Sequence, residues 1–252
     1  MAILITGASS GIGAALAGRM AAPGVHLSLW GRDAARLEEV ARRARAAGAS
    51  VDLVRLDLAD PSQAARAAEA SDDVHAFDTV ILAAGQGGMR EAGRLTEEPA
   101  EVARIAAVNL AAPMALASTL AGRMAARGGG RIALIGSAAA FVPLPQAPAY
   151  AASKAGLAVF ASGLRLALRG RGVSVTLISP GFVDTPMSQG LYCPKPFLMT
   201  ADRAAALIVA AVERRTRHAI FPWPFALLPL IVWLTPAFVR DRLLLRLQAR
   251  PL

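Results

Sequence analysis

The sequence predicts an α/β protein: one domain built on a doubly wound parallel sheet, followed by an apolar C-terminal extension. Three observations carry this reading. Short, almost continuously apolar runs alternate with longer stretches of helical period. The runs lack the polar/apolar alternation of a sheet with one wet face, so helices should cover both sides. A glycine-rich turn separates the first run from the first helical stretch.

In chain order, strands are predicted at 2–6, 25–30, 51–56, 79–83, 131–135, 173–179 and 218–221. Helices are predicted at 12–22, 34–47, 62–70, 97–126, 149–168 and 201–214. The first residues, Met1 to Gly7, have no basic segment or long apolar core and read as a strand rather than a signal peptide. Gly128, Gly129 and Gly130 read as a helix-to-strand turn, not a domain boundary. Residues 1–221 form the catalytic unit on this reading, with a substrate lid at about 182–200, and 222–252 form the extension.

Composition narrows the function classes. The chain of 252 residues is long enough for one well-buried core. Its net charge is +9, but the positive residues are scattered arginines with no sustained aromatic-interleaved patch, so nucleic-acid binding is not expected. A mean hydropathy of +0.45 owes much to alanine. The single cysteine, Cys193, permits no intramolecular disulfide and fits a reducing, cytoplasmic setting. His26, His75 and His218 are far apart in sequence, no cluster has metal-ligand spacing, and no metal is expected. No Gly-x-Ser-x-Gly elbow supports Ser–His–Asp hydrolysis.

The motif after the first strand carries the chemistry. In Thr6-Gly7-Ala8-Ser9-Ser10-Gly11-Ile12-Gly13, three glycines allow a tight turn, close backbone approach to a pyrophosphate and tight helix–strand packing. The helix start then offers free N–H groups to the anion, with Ser9 or Ser10 adding a hydroxyl. The second strand ends Trp30-Gly31-Arg32. An acidic residue there would bind a ribose 2′-hydroxyl, whereas Arg32 suits a 2′-phosphate, which favours NADP(H) over NAD(H).

Tyr150 and Lys154 are four apart on a helix and therefore share a face. Lys154 is expected to favour the Tyr150 phenolate and lower its pKa, so that the phenol exchanges a proton with a carbonyl or alcohol oxygen. Both residue types are rare in this arginine-rich chain, with two of each. Asn109 lies four residues before Pro113, which has no N–H to give the Asn109 carbonyl. A kink and a freed carbonyl are expected there.

Together, the Thr-Gly-x-x-x-Gly-x-Gly and Tyr-x-x-x-Lys motifs resemble those of the short-chain dehydrogenase/reductase family, over roughly residues 1–221. The resemblance implies a Rossmann-type fold and hydride transfer between a nicotinamide and a C=O/CH–OH pair. It implies that Ser137, thirteen positions before Tyr150, orients the substrate oxygen, and that Asn109 joins Lys154 in a proton relay. It also implies that Asp57 and Leu58 contact adenine, that Ala84 and Gly85 lie along the cofactor, and that Pro180, Gly181, Val183 and Thr185 form the nicotinamide turn. One departure is Leu82-Ala83-Ala84-Gly85, where the family often has Asn-Asn-Ala-Gly; this bears on stability rather than activity. Relatives form dimers or tetramers, so a homodimer or homotetramer is expected.

The apolar lid residues Met187, Leu191, Tyr192, Cys193, Pro194, Pro196, Phe197, Leu198 and Met199, with Phe141 to Pro145, point to an apolar, lipid-like carbonyl or alcohol substrate. Residues 220–239 contain no charge but four prolines, with Arg214, Arg215 and Arg217 before and Arg240, Arg242, Arg246 and Arg250 after. Prolines argue against a straight span, and basic flanks suit interfacial membrane contact through 220–250, peripheral to the membrane. A subunit contact or a lid over the active site stays open. So do two other functions: an NADPH-binding regulatory or partner-binding protein, and epimerisation or dehydration on the same fold. An intact Ser137, Tyr150 and Lys154 argue against the first, and the lack of a substrate domain against the second.

Overall fold

The computed structural model describes all residues except 92, 191–193 and 247–252. Strands β1 (Ala2–Thr6), β2 (His26–Gly31), β3 (Ser50–Arg55), β4 (Thr79–Leu82), β5 (Gly130–Ile135), β6 (Val173–Pro180) and β9 (His218–Phe221) form one sheet. Its order is β3-β2-β1-β4-β5-β6-β9, and every pairing is parallel. Two short strands, β7 (Val183–Asp184) and β8 (Met199–Thr200), pair separately. The seven predicted strands all form, to within one residue at each end.

Two apolar layers flank the sheet. One joins the side chains of Ile3, Ile5 and Leu27 to α1 (Gly11–Met20), α2 (Ala34–Ala46) and α8 (Ala201–Glu213). The other joins Leu4, Val80 and Ile132 to α3 (Pro61–His75), α5 (Ala112–Ala126) and α6 (Pro148–Ala167). Strands buried on both faces need apolar residues at every position, which is why the continuous runs marked them. The order reverses direction between β1 and β4, and such a switch point opens a crevice at the strands' C-terminal ends.

Three expectations are corrected. Helix α3 runs five residues beyond the predicted end because its polar last turn is paired, not solvated. Asp72 is buried and accepts a bidentate bond from Arg127 (2.6 and 2.9 Å), a bond from Arg123 (2.5 Å) and the Phe77 N–H (2.9 Å). The predicted helix 97–126 is α4 (Pro99–Ala106), a π-helical turn (Ala107–Ala111) and α5. Pro113 cannot donate to the Asn109 carbonyl, and the backbone widens to an Ala112 N–H to Ala107 carbonyl bond instead of kinking sharply. The histidines are not scattered in space: His26 and His75 stack, ring centroids 3.9 Å apart, beside Asp52.

Burial pushes the Asp72 carboxyl up, but hydrogen bonds from Arg127, Arg123 and the Phe77 amide outweigh it and leave it below the ordinary value. A depressed folded pKa stabilises the fold above the unfolded carboxyl's value, about 3.9, and the contribution fades as pH falls through the folded value. Asp72→Ala is therefore expected to cost about 3 kcal/mol at neutral pH. The gap between variant and wild-type thermal midpoints should narrow in acid, and equal midpoints at pH 7 would show that the pairing carries no net stability.

Candidate active site

The β1–α1 turn is built by backbone proximity. A Cβ on Gly7 would lie 2.7 Å from the Ala84 backbone, and one on Gly13 would lie 2.2 Å from the Gly7 carbonyl oxygen. Gly7 and Gly11 also hold left-handed φ angles of +68° and +53°. The Thr6 hydroxyl accepts the Ala84 N–H at 3.1 Å and joins this turn to the β4 loop. An anion cradle of backbone N–H groups at the start of α1 is the outcome.

Across the crevice, β5 and α6 carry the reactive groups. Ser137 follows β5, and its Oγ accepts the Ala139 N–H at 3.1 Å as cap of the 3₁₀ turn Ala138–Phe141. Tyr150 and Lys154 sit in the first turns of α6, whose start is held by buried Glu97, accepting the Ala149 N–H at 2.9 Å. Lys154 is buried and donates from Nζ to the Ile135 carbonyl at 2.9 Å; its Nζ is 5.9 Å from the Tyr150 ring centroid. Burial lowers its pKa to about 8. Burial also pushes the Tyr150 phenol up, and a hydrogen bond with Ser137 partly offsets this. Desolvation is the larger influence on the phenol, while the ammonium is anchored to a strand carbonyl with its Nζ close to the Tyr150 ring.

These groups share one cavity of about 610 Å³. It is lined by every residue singled out in the sequence for cofactor or chemistry except Asn109: Gly7, Ser9, Ser10, Gly11, Ile12, Gly13, Arg32, Asp57, Leu58, Ala84, Gly85, Ser137, Tyr150, Lys154, Pro180, Gly181, Val183 and Thr185. Asn109 is fully buried behind it. Its side chain accepts the Gln86 N–H (2.7 Å) and donates to the Gln86 carbonyl (2.8 Å) and to Ser153 Oγ (3.3 Å). A Cβ on Gly85 would lie 3.6 Å from both Asn109 Oδ1 and Lys154 Nζ. Thr185 caps the short helix α7 (Pro186–Gln189) through a reciprocal bond pair with Ser188.

The lid differs from its expected form. Phe182, Val183 and residues 185–188 line the cavity, but Pro194, Phe197 and Leu198 do not. β7 and β8 pair at the two ends of this segment, and Phe197 packs edge-on against Phe225, centroids 6.1 Å apart. Leu191, Tyr192 and Cys193 lie outside the described residues. Of the loop before α6, Val142, Leu144 and Pro145 line the cavity, whereas Phe141 faces His218.

Sequence reasoning missed several contributors. Arg104 bridges Asp57 Oδ2 (2.8 Å) and the Gln86 side chain (3.0 Å). Burial raises the Asp57 carboxyl, but the bonds from Arg104 and the Ala59 amide, with the charges of Arg104 and Arg32, hold it below the ordinary range. The extension folds as a 3₁₀ turn (Trp223–Leu227), α9 (Leu228–Leu234) and α10 (Ala237–Arg246). Its Phe225, Leu228 and Leu244 line the cavity, with the Phe225 ring filling the space over Gly181.

The sequence profile of the short chain dehydrogenase family matches residues 1–194. The chain belongs to the short-chain dehydrogenase/reductase family. It is 37% identical to an uncharacterized oxidoreductase of Myxococcus xanthus over 224 residues, 88% of each chain. A short-chain dehydrogenase from Sphingobium yanoikuyae solved in complex with NADPH superposes with a TM-score of 0.82 at 28% identity, covering 100% of this chain and 98% of that one. A bulky-bulky ketone specific alcohol dehydrogenase from Comamonas testosteroni gives 0.77 at 28%, covering 96% and 90%. This short-chain dehydrogenase/reductase is thus an oxidoreductase acting on CH–OH/C=O with a nicotinamide cofactor, and the glycine cradle, which a single methyl would fill, fits that cofactor's pyrophosphate.

Gly13→Ala is expected to push α1 off the β1 turn and weaken nicotinamide dinucleotide binding about tenfold or more, that is 1.4 kcal/mol or more. Fluorescence titration measures it. Gly18→Ala, where an added methyl meets nothing within 4 Å, is the control and should bind normally.

Proposed function

We propose that this enzyme is an NADP(H)-dependent oxidoreductase of apolar ketones, aldehydes or secondary alcohols, with lipid-like molecules as the natural class. The observation that carries the reading is the cavity itself, where Ser137, Tyr150 and Lys154 face the glycine cradle under an apolar wall of Phe225, Leu228 and Leu244. The ketone specificity of the Comamonas relative supports a carbonyl substrate with two large substituents.

The nicotinamide, when bound, supplies or accepts the hydride. The chain's own residues handle the oxygen and its proton. Tyr150, its pKa raised by burial, is protonated at neutral pH and donates its phenolic proton to the carbonyl oxygen in the reductive direction. Ser137 Oγ bonds the same oxygen and orients it. Lys154 is cationic below about pH 8 and stabilises the phenolate left behind; its donors not spent on Ile135 are available to polar groups in the cavity. Asn109 is a positioning residue, clamping Gln86 so that Gly85 stays against Lys154. Val183 and Thr185 border the nicotinamide end, and Asp57 and Leu58 the adenine end. Arg32, exposed at the cavity rim beyond Gly31, recognises a 2′-phosphate, which supports NADP(H).

The described part of the extension, residues 222–246, is read as a roof with two faces. Its inner face walls the cavity. Its outer face exposes Trp223 (74%), Trp233 (80%) and Phe238 (77%) with Leu227, Leu230, Ile231 and Leu234. Aromatic side chains on prolyl-broken short helices with arginines on both flanks support contact with an anionic lipid surface, in keeping with a cytoplasmic enzyme peripheral to the membrane. Exposed Val159 and Leu166 on α6 support a homodimer or homotetramer.

With NADPH and ketones of rising chain length, absorbance should fall fastest for the larger apolar substrates, and Tyr150→Phe should reduce turnover by 10³-fold or so. The reductive rate should decline as pH rises past about 8, where Lys154 loses its charge. Arg32→Ala should weaken NADPH about tenfold and leave NADH unchanged. Equal use of NADH by the wild type would overturn the cofactor preference, and tight NADPH binding without turnover would favour a sensor.

Cosedimentation with vesicles of anionic phospholipid checks the roof's outer face. The wild type should bind and Trp233→Ser/Phe238→Ser should not; binding by neither would remove the membrane from the reading.

A further inference from the structure

The cavity occupies the C-terminal edge of the sheet. The opposite edge holds a second convergence of polar side chains that the oxidoreductase reaction does not use. His26 opens β2, Asp52 lies on β3, and His75 ends α3. One ligand atom from each lies within 4.8 Å of the others. His26 Nε2 and His75 Nε2 both face Asp52 Oδ1, the second at 3.4 Å. The two rings stack with an interplanar angle of 21°, so their nitrogens approach the carboxylate from the same side.

The outer atoms of this group are already engaged. Asp52 Oδ2 accepts from Ser28 Oγ at 2.8 Å, and Ser28 Oγ accepts from the buried Trp30 indole N–H at 2.9 Å. His26 Nδ1 meets Ser50 Oγ at 3.0 Å. His26 Nε2 shares a proton with Asp52 Oδ1 in the metal-free cluster; an ion that displaced this proton would meet the Nε2 lone pair, with Nδ1–H donated to Ser50. Such outer-sphere bonds fix the tautomer and orientation of a metal ligand. Among the described residues, Asp52 forms ion pairs with these two histidines and with no arginine or lysine.

We propose that His26, Asp52 and His75 form a structural binding site for a divalent transition-metal ion of the zinc class. Two imidazoles and a carboxylate suit zinc, cobalt or nickel and do not suit magnesium, which prefers an oxygen shell. The three side chains keep between a fifth and a third of their surface exposed, which leaves room for water to complete the coordination. The ion would tie the end of α3 to the β2–β3 edge, far from the reacting groups.

The test uses untagged full-length protein freed of metal by a chelator. Calorimetry with zinc chloride should give one site per chain with a Kd of about 1 µM or tighter. Zinc should raise the thermal midpoint, since it binds the folded state, and magnesium should not. His75→Gln and Asp52→Asn should each weaken zinc by roughly tenfold or more. Cobalt should give the visible bands of a low-coordinate site in wild type and lose them in His75→Gln. Turnover should be the same with and without zinc and in His75→Gln, so this site stands or falls separately from the proposed reaction. Circular dichroism of each variant establishes that it is folded. Absence of stoichiometric zinc binding in the wild type, or equal affinity in folded His75→Gln and Asp52→Asn, would overturn the site and leave the cluster a proton-sharing His–Asp group.

Discussion

The hydrogen bond from Lys154 to the Ile135 carbonyl is the joint on which the rest of the site depends. It ties α6 to the end of β5 inside the protein, where an ammonium is costly to bury, and the cost is visible in a pKa lowered to about 8. Because Ile135 is two residues before Ser137, one bond places all three reactive groups in register. Tyr150 then stands one helical turn from its lysine and within hydrogen-bonding reach of the Ser137 hydroxyl. The helix start is secured from another direction by Glu97, whose Oε2 takes the Ala149 amide while its buried Oε1 has no partner among the described residues. An under-satisfied carboxylate at that point gains from the positive end of the helix it caps.

The second constraint is backbone contact without side chains. Gly7, Gly13 and Ala84 meet at distances that exclude a methyl group, and this brings the β1 turn and the β4 loop to one wall. The Thr6 hydroxyl takes the Ala84 amide and ties the two segments together. Beyond it, Asn109 performs the same service for Gln86. The π-helical turn around Asn109 aims that side chain sideways into the β4 loop, and Pro113 is the local reason for the wider backbone. The loop is thus held by side-chain oxygens borrowed from β1 and from the α4–α5 run.

The sheet was legible in the sequence because its central strands, covered on both faces, are apolar at nearly every position, while the edge strand β3 keeps Asp52 and Arg55. The cradle and the Tyr–Lys pair were legible because their chemistry depends on short, fixed spacing. What escaped was non-local. Arg104 reaches Asp57 across 47 residues, and His75 meets His26 across 49. No periodicity records such partners. The end of α3 was cut short for the same reason: Ser71, Asp72 and Asp73 look like a solvated turn until Arg123 and Arg127 arrive from α5. The spacing put Lys154 beside Tyr150 but carried no record of burial, which is the larger influence on the phenol.

The extension raises a different balance. Phe225 fills the space over Gly181, and Leu228 and Leu244 face inward, so part of its apolar surface is spent drying the cavity. Water excluded there strengthens every polar contact made by Ser137, Tyr150 and Lys154. Yet a helix as short as α9 cannot bury all of its leucines against one cavity, and the remainder, with Trp233 and Phe238, faces outward. A contiguous exposed apolar surface carries an aggregation cost unless something covers it. Prolines at 222, 224, 229 and 236 break the run before it can become a straight span, so the segment stays at the surface with arginines on either side. The same short segment thus lines the cavity with Phe225, Leu228 and Leu244 and exposes Trp233 and Phe238 on its other side.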